Sequence, residues 1–387
     1  MKIFGKHDEG TIRQMETCLA HGASKAVLCA DGHKGYAQPI GGVLAYKDKI
    51  SISGVGFDIG CGNLAIRTNL KGSEIQKDIP RIMDEVSKTI SFGVGRTNAS
   101  PVDHPLFEDP LWNERPFKDW KKMVFDQLGT VGSGNHYVDL FFDENDTVWV
   151  GVHFGSRGFG HKTATHFLKL AGGQDGMDVP PCVVDARAPI GEAYLAGMAL
   201  AGRYAYAGRE YVARTVVEKI LGGSIEEEIH NHHNFAWKET HFGEEFWVVR
   251  KGATPAFPGQ KGFVGGSMGD DAVILEGVDT EESREALFST VHGAGRVMSR
   301  TAALGKSKKV DGKWIRGVGL VRHDEMKAWL QEKGVHLRGG DLDEAPQAYR
   351  RLPEVLKAHE KTIKILHTLR PVGVVMAGKD IVDPYKD

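Results

Sequence analysis

One cysteine, one aspartate and several histidines stand out because each lies in a glycine-rich segment or at the end of a predicted strand. Such segments let the backbone bend and direct side chains into a cleft. A thiolate has enough lone pairs to bridge two ions, so this set is a plausible binuclear metal centre. No local spacing such as HExxH supports it, and a single buried histidine is more often a hydrogen-bonded core residue. The candidates are Asp58, Cys61, His136, His153 and a member of the run His230, His232 and His233.

Four further segments could hold phosphates. They combine glycine amides, hydroxyl groups and cations, which together bind polyphosphates. Any one of them could be an ordinary turn, but their number favours a nucleotide site. In the last segment, glycine leaves room for a phosphorus atom beside His292, which is therefore either a covalent nucleophile or the first residue of a helix. The segments are residues 155–158, 250–254, 265–269 and 292–296.

A basic stretch begins directly after His292. Lysine and arginine clearly outnumber acidic residues over 294–333. Charge runs are usually solvated faces, but this one could also hold a phosphate backbone near the reacting end.

The composition excludes several classes of protein. With 49 Lys and Arg against 51 Asp and Glu among 387 residues, the formal charge of -2 is unlike that of a non-specific nucleic-acid coat. The 41% hydrophobic and 26% charged residues are typical of an ordinary globular protein. The four cysteines form no CxxC pair, which argues against a disulfide framework and a zinc ribbon. Without a secretory signal or a long apolar run, we expect a cytoplasmic protein that does not enter a membrane.

These residues must be positioned by a mixture of strands and helices. Short apolar or β-branched runs predict strands, and apolar residues three and four apart predict helices. A proline-rich loop is expected over 100–117. The predicted strands are 26–29, 41–45, 50–52, 64–69, 148–152, 246–250, 263–264 and 272–275, and the predicted helices are 74–89, 191–221, one starting near 280, 324–333 and 353–369. Because the motifs are scattered without a linker, we predict one interwoven α+β domain over 1–387.

The sequence resembles the RtcB-type RNA-splicing ligases nearly end to end. The matching segments are 31–35, 54–68, 128–139, 152–160, 232–235, 250–254, 265–269, 291–300, 343–349 and 369–373. The resemblance implies a fold of stacked β-sheets flanked by helices around a metal-binding cleft. It also implies an RNA ligase for tRNA splicing or RNA repair, which joins 3′-phosphate or 2′,3′-cyclic phosphate ends to 5′-hydroxyl ends. GTP, two Mn²⁺ ions and a covalent histidine–GMP intermediate are implied in the same way.

The resemblance assigns roles residue by residue. Asp58, Cys61 and His136 would hold one Mn²⁺, and Cys61, as the bridge, would hold the second with His153 and His233. His233 is preferred to His232 because it directly precedes Asn234, as the ligand does in the family. His292 would be the guanylylated residue. The nucleotide contacts would be Asn135, Asp139, Lys251, Ser267, Gly293, Ala294, Gly295, Arg296, Tyr349 and Lys379.

Several alternatives stay open from the residues alone. Thiolate and imidazole ligands favour zinc or cobalt, so Mn²⁺ rests on the resemblance. A binuclear metallophosphoesterase would use the same ions to activate water, and a non-catalytic module would only bind RNA ends. Asp139 is one methylene shorter than the glutamate usual in the family, and Ala272 replaces a serine, so the preference for GTP is less constrained than the metal centre. We expect a monomer, and an activating protein partner is left open.

Overall fold

Nineteen strands are present in the described part of the chain. The computed structural model describes residues 1–98, 100–310 and 313–378, with the backbone alone over 307–310 and 313–316. The strands are β1 (Lys2–Ile3), β2 (Lys25–His33), β3 (Ile40–Tyr46), β4 (Lys49–Ser51), β5 (Gly62–Lys71), β6 (Tyr137–Phe142), β7 (Thr147–Phe154), β8 (Val183–Asp185), β9 (Ile225–His232), β10 (Asn234–His241), β11 (Glu244–Lys251), β12 (Ala253–Pro255), β13 (Lys261–Val264), β14 (Ala272–Gly277), β15 (Ser289–Val291), β16 (Ser307–Val310), β17 (Lys313–Arg316), β18 (His336–Gly340) and β19 (Ile363–Gly378).

Helices lie between these strands. The α-helices are α1 (Glu9–Ala20), α2 (Ile52–Val55), α3 (Gly72–Ile75), α4 (Ile79–Thr89), α5 (Phe117–Gln127), α6 (Arg157–Leu170), α7 (Pro189–Arg214), α8 (Glu281–Glu285), α9 (Arg300–Leu304), α10 (His323–Lys333) and α11 (Leu352–Lys357). Helix α7 continues into a π-helical turn at Thr215–Ile220. Short 3₁₀ turns occupy Gln76–Asp78, Pro105–Glu108, Pro110–Asn113, Leu342–Glu344 and Pro346–Ala348. None of the helices in the described ranges has both the length and the apolar character needed to cross a bilayer.

Two large sheets form the frame. A five-stranded sheet has the order β1-β2-β3-β11-β10, and the larger sheet runs β13-β14-β19-β6-β7-β5-β9, with β18 paired to β19. The larger sheet is nearly closed: the side-chain amide of Asn231, on β9, donates a hydrogen bond to the Lys261 carbonyl of β13 at 3.2 Å. The observed mixture of sheets and helices confirms the predicted α+β class, whereas the single-domain assignment over 1–387 stays a prediction.

Strand β7 shows why the larger sheet is strongly ordered. It lies between β5 and β6, and every residue from Val148 to Phe154 is buried. A central strand covered on both faces has no polar face to present, which explains its continuous β-branched and aromatic sequence. On one face, α4 packs its buried Ile79, Ile82, Met83 and Val86, which are spaced as one stripe of a helix.

Several sequence-based predictions need correction. The helix expected over 74–89 is divided into α3, a 3₁₀ turn and α4, and the helix expected over 353–369 is wrong because α11 ends at Lys357. From Ile363 the chain forms β19, which pairs with β14, β18 and β6. Its apolar residues fit either helix or strand spacing, so these distant partners decide the outcome. No helix begins at His292: the residues that follow it form bends, and Arg296 makes an isolated β-bridge with Tyr349.

Candidate metal and nucleotide site

A single cleft of about 1520 Å³ is lined by fifteen of the predicted site residues. They are Asp58, Cys61, His136, His153, His233, His292, Asn135, Asp139, Lys251, Ser267, Gly293, Ala294, Gly295, Arg296 and Tyr349. Lys379, the sixteenth, lies outside the described residues. Residues more than 200 positions apart in the chain are therefore brought to one place.

Strand register positions three of the candidate ligands. Gly62, at the start of β5, is paired with Phe154 at the end of β7 and with His232 at the end of β9. Along the chain, Cys61 directly precedes Gly62 and His153 directly precedes Phe154. His233 directly follows His232. The three side chains therefore meet at one edge of the larger sheet, as the alignment of strand ends requires.

We call Cys61, His153 and His233 the imidazole triad. The Nε2 atom of His153 lies 3.3 Å from the Cys61 sulfur and 3.4 Å from Nε2 of His233. On the other side of the His153 ring, Nδ1 lies 2.9 Å from the Asn135 carbonyl, so Nδ1 carries the proton and the Nε2 lone pair points into the triad. Burial lowers the pKa of His153 to about 3 and that of His233 well below its ordinary value. Both rings are therefore neutral at physiological pH, which is the form that binds metals.

Asp58, Cys61 and His136 form a second group, the carboxylate triad. Nε2 of His136 lies 3.0 Å from Oδ2 of Asp58 and 3.7 Å from the Cys61 sulfur. Burial alone would raise the pKa of Asp58, but the hydrogen bond and charge of His136, together with Cys61 and Arg157, outweigh burial and lower the pKa to about 2. Burial raises the pKa of the Cys61 thiol, so a bound cation would have to displace its proton. The ligand atoms within each triad lie within 4.8 Å of one another.

Four imidazole rings form a row through the cleft. The ring centroids are 5.4 Å apart for His136 and His153, 5.1 Å for His153 and His233, and 4.9 Å for His233 and His292. His292 is therefore a neighbour of the imidazole triad through His233, and His136 of the carboxylate triad is a neighbour of it through His153.

A buried carboxylate orients His292. Asp31, fully buried on β2, places Oδ2 2.6 Å from Nδ1 of His292 and accepts the backbone N–H of the same residue at 3.0 Å. Burial alone would raise the pKa of Asp31, but the charge and hydrogen bonds of His292 outweigh it and lower the pKa. When the His292 ring is neutral, an ionised Asp31 accepts a hydrogen bond from Nδ1, which leaves Nε2 with the lone pair.

Asp31 was not among the site residues predicted from the sequence. Its signal was an aspartate within the apolar strand Lys25–His33, directly before Gly32. The loop that carries His292 lies against this strand. Gly295 has a φ of +76°, and a Cβ atom there would collide with the Asp31 carbonyl, so glycine is required for this close approach.

The nucleotide side of the cleft contains buried charge pairs. Arg296 donates to the Asp343 carbonyl at 2.8 Å and to the Tyr349 hydroxyl at 3.1 Å, and its guanidinium lies 5.0 Å from the Tyr349 ring centroid. The Tyr349 hydroxyl donates in turn to Glu344. Arg300 pairs with Asp343 at 3.0 Å and also contacts Glu344. The Arg296 guanidinium therefore packs on one face of the Tyr349 ring.

Three other predicted nucleotide contacts have defined environments. The Ser267 hydroxyl donates to Asp270 at 2.6 Å, and the Lys251 ammonium group donates to the Tyr36 carbonyl at 2.6 Å. Asp139 is buried on β6, and burial raises the pKa of its carboxyl group well above the ordinary value. Its Oδ1 atom has no hydrogen-bond partner among the described residues. A protonated Asp139 can therefore donate a hydrogen bond to a ligand in the cleft.

Arg209, which the sequence analysis did not single out, supports the backbone next to the triads. It is fully buried on α7, and one guanidinium nitrogen donates to the carbonyls of Gly60, at 2.8 Å, and Phe154, at 2.5 Å. These residues are the neighbours of Cys61 and His153. A buried cation held by carbonyl groups of both ligand segments couples the positions of the two ligands.

Two histidines near His233 belong to this arginine network. Arg209 Nε donates to Nε2 of His230 at 2.8 Å, and Arg209 also lies 3.0 Å from Nδ1 of His232. Because arginine is always the donor, the proton of neutral His230 sits on Nδ1. That Nδ1 faces Glu210 at 3.7 Å and Glu228 at 3.9 Å. The ligand atoms of Glu210, Glu228 and His230 are close enough together for a metal site. However, Nδ1 of His230 carries a proton, so the ring has no lone pair directed at the two carboxylates.

Some of the proposed phosphate-binding cations are used elsewhere. Arg250 is fully buried and pairs with Glu239 at 2.6 Å, so of the 250–254 segment only Lys251 and Gly252 line the cleft. In the basic stretch, Arg300 and Arg322 pair with nearby acidic residues. The stretch is therefore not a continuous free cationic face over its described side chains.

The chain matches known proteins over nearly its whole length. A family model described as tRNA-splicing ligase RtcB matches residues 14–117 and 112–377. The protein named RNA-splicing ligase RtcB from Escherichia coli K12 is 32% identical, over 89% of this chain and 88% of that protein. The tRNA-splicing ligase RtcB from Archaeoglobus fulgidus is 34% identical, over 90% and 87%. RNA-splicing ligase RtcB homolog 1 from Entamoeba histolytica is 28% identical, over 92% and 81%.

Proposed function

Because the chain belongs to the RtcB family and is an RNA ligase, we propose that it joins RNA 3′-phosphate or 2′,3′-cyclic phosphate ends to 5′-hydroxyl ends. The reaction uses GTP, two Mn²⁺ ions and a covalent GMP adduct of His292. It serves tRNA splicing or RNA repair in the cytoplasm. The observation that carries this proposal is the position of His292, which is held by a buried carboxylate and lies next to His233 of the imidazole triad.

The donor atoms fit two divalent cations. Two neutral imidazoles and a thiol converge in the imidazole triad, and an ionised carboxylate joins the same thiol in the carboxylate triad. The choice of Mn²⁺ over zinc or cobalt rests on the family and not on these ligand types. When bound, two such ions would neutralise phosphate charge as it moves to the leaving group.

In the first step, Nε2 of His292 attacks the α-phosphorus of GTP. A nitrogen–phosphorus bond forms while the bond to pyrophosphate breaks. The ring becomes positively charged in this step, and the Asp31 carboxylate at 2.6 Å from Nδ1 stabilises that charge. Asp31 is thus a positioning residue, because its hydrogen bond to Nδ1 fixes the orientation of the His292 ring.

In the next steps, GMP passes to the RNA. An oxygen of the 3′-phosphate attacks the same phosphorus, and the bond to His292 breaks, which returns the neutral ring. Water first opens any cyclic phosphate. The 5′-hydroxyl oxygen then attacks the RNA 3′-phosphorus, loses its proton and displaces GMP. This activation is needed because a bare phosphate oxygen is a poor leaving group.

Labelled GTP tests the proposal. With Mn²⁺ and α-³²P-GTP the protein should acquire an acid-labile label, while γ-³²P-GTP should leave it unlabelled because the γ-phosphate departs with pyrophosphate. A metallophosphoesterase would release phosphate from RNA ends without an adduct, and a binding module would do neither. Absence of the α-label in folded, metal-loaded protein would remove the proposed mechanism.

A further inference from the structure

One serine of the cleft wall gives its proton to a carboxylate behind the wall. The Ser267 hydroxyl lines the cleft and donates to Oδ2 of Asp270 at 2.6 Å. An ionised carboxylate only accepts hydrogen bonds, so the direction of this bond is fixed. The Ser267 oxygen therefore keeps lone pairs, and no proton, for a ligand in the cleft.

A tight turn sets the spacing of the two side chains. The backbone N–H of Asp270 donates to the Ser267 carbonyl at 3.0 Å, and Gly269 within this turn has a φ of +90°. A Cβ atom at Gly269 would collide with Nε1 of Trp329 on α10, so glycine is required where the turn packs on this helix. The backbone thus holds the carboxylate beside the hydroxyl.

Arg351 holds the carboxylate from its other side. Nη1 of Arg351 lies 3.0 Å from Oδ2 and 3.2 Å from Oδ1 of Asp270, and its guanidinium lies 4.2 Å from the Trp329 ring centroid. Neither Asp270 nor Arg351 lines the cleft. This ion pair can therefore act on a bound nucleotide only through Ser267.

The serine is close enough to the His292 loop to contact a nucleoside. A Cβ atom at Gly293 would be 3.5 Å from the Gly265 carbonyl, so the 265–269 segment begins beside the residue that follows His292. Ser267 is two residues further on, at most about 7 Å along the chain. A nucleoside whose α-phosphate is joined to His292 would lie within reach of this hydroxyl.

A phosphate is a poor partner for this serine. Its oxygens only accept, so a phosphate would compete with Asp270 for one proton and bring a second anion towards that carboxylate. Ribose hydroxyls and the N–H groups of guanine donate instead.

We propose that Asp270, as a positioning residue acting through Ser267, makes this side of the cleft select a hydrogen-bond donor of the nucleoside. The donor is either a ribose hydroxyl or a guanine N–H. This inference rests on the proposed function, and it removes Ser267 from the phosphate-binding groups of the 265–269 segment.

GMP and guanosine test the proposal directly. Their Kd values are measured on the Mn²⁺-loaded protein by displacement of radiolabelled GMP, and neither can form the adduct because neither carries a pyrophosphate leaving group. Ser267→Ala should raise both Kd values by the same factor, roughly fivefold, because the lost hydrogen bond is made to the nucleoside that they share. A contact with phosphate would weaken the binding of GMP alone.

Analogues then identify the donor. 2′-Deoxy-GMP, 3′-deoxy-GMP, IMP and 1-methyl-GMP each lack one donor of GMP. The unchanged protein should bind one of them roughly fivefold more weakly than GMP, and Ser267→Ala should weaken that analogue no further. If Ser267→Ala weakens all four analogues as much as GMP, no donor meets the serine and the proposal is overturned.

A double-mutant cycle tests the role of Asp270. Asp270→Asn should raise the Kd of GMP roughly threefold, because a side-chain amide can donate to Ser267 and release its proton. The same substitution should have no effect in the Ser267→Ala background. Asp324→Asn is the matched control, since Asp324 also pairs with an arginine, Arg322 at 2.9 Å, but does not line the cleft. It should leave the Kd of GMP unchanged.

The failures of the two proposals are distinguishable. The inference is overturned if Ser267→Ala weakens GMP but not guanosine, if Asp270→Asn acts equally without the serine hydroxyl, or if the Asp324 control has the same effect. If the unchanged protein binds GMP but forms no adduct with GTP, the proposed function fails instead, and the binding measurements still decide the role of Asp270.

Discussion

At the metal end of the cleft, three of the five candidate ligands, Cys61, His153 and His233, lie at or next to the aligned ends of β5, β7 and β9, and His136 directly precedes β6 of the same sheet. At the nucleotide end, the residues come from loops over 265–269, 292–296 and 342–349. Buried charge contacts hold these loops, such as Asp31 with His292 and Arg300 with Asp343. The positions of side chains at the metal end therefore depend on strand register, and those at the nucleotide end depend on individual buried ion pairs and hydrogen bonds to charged groups.

The difference predicts different responses to substitution. A ligand at a strand end can be removed without disturbing the register, so metal binding should be lost while the fold remains. Removing one partner of a buried ion pair leaves an uncompensated charge, which costs about 3–5 kcal/mol of stability. The nucleotide end should therefore couple function to stability more closely than the metal end does.

The largest effect is expected at Cys61, which belongs to both triads. Cys61→Ala should abolish adduct formation and ligation and reduce bound Mn²⁺, as measured by elemental analysis of the folded protein. Cys182→Ala is the control, because Cys182 is half-buried and belongs to neither triad. Unchanged metal stoichiometry in Cys61→Ala would refute the bridging role.

His292→Ala should lose formation of the GMP adduct and keep the final sealing step. The two triads remain, so folded molecules of the variant should bind Mn²⁺ but form no GMP adduct, and the unfolding free energy should fall because buried Asp31 loses its partner. It should still seal RNA that already carries a 3′-guanylylated end, because the covalent step is bypassed. Asp31→Asn should still form the GMP adduct, unlike His292→Ala, but at a rate roughly 100-fold below that of the unchanged protein.

Failure of metal-loaded His292→Ala on pre-activated RNA would show that His292 acts beyond guanylylation. Retained GTP-dependent labelling of the variant would mean that another side chain is the nucleophile.

A substitution of Arg209 tests whether this residue positions the ligands Cys61 and His153. Arg209→Met removes the donor to the Gly60 and Phe154 carbonyls, and outer partners of this kind typically change metal affinity by about 10- to 100-fold. Metal titration should show this loss even in molecules that remain folded. The control is Arg214→Met on the same helix, where an exposed pair with Glu228 contributes at most about 1 kcal/mol. Equal metal affinity in both variants would contradict the positioning role.

The smallest effect at neutral pH is expected at His359, which accepts the Ala30 N–H behind the strand that carries Asp31. Burial lowers its pKa to about 4, whereas the unfolded chain has an ordinary value of about 6.5. Between these values the unfolded state binds more protons, so this group makes the unfolding free energy fall as the pH drops from about 6.5 to 4, by up to about 3 kcal/mol.

Urea unfolding at several pH values measures this dependence. His359→Gln should flatten it, and above pH 7 the titration should contribute almost nothing. A variant with the same pH slope as the unchanged protein would assign the effect to other groups.

The sequence by itself determined the residue types and the local segments. Glycine-rich turns and strand ends marked Asp58, Cys61, His136 and His153, and β-branched runs predicted strands such as 148–152 correctly. The family resemblance, carried by local motifs, selected His233 and His292. These signals are local, because turn chemistry and alternation depend on neighbours in the chain.

Only the tertiary structure decided which groups meet. It formed β19 where a helix was predicted, placed Asp31 against His292 across 261 positions and buried Arg209 between two ligand segments. It also turned Arg250 away from the cleft and extended the cleft along α6. The physical reason is that strand pairing and the burial of charge depend on partners far away in the chain, which no local pattern specifies.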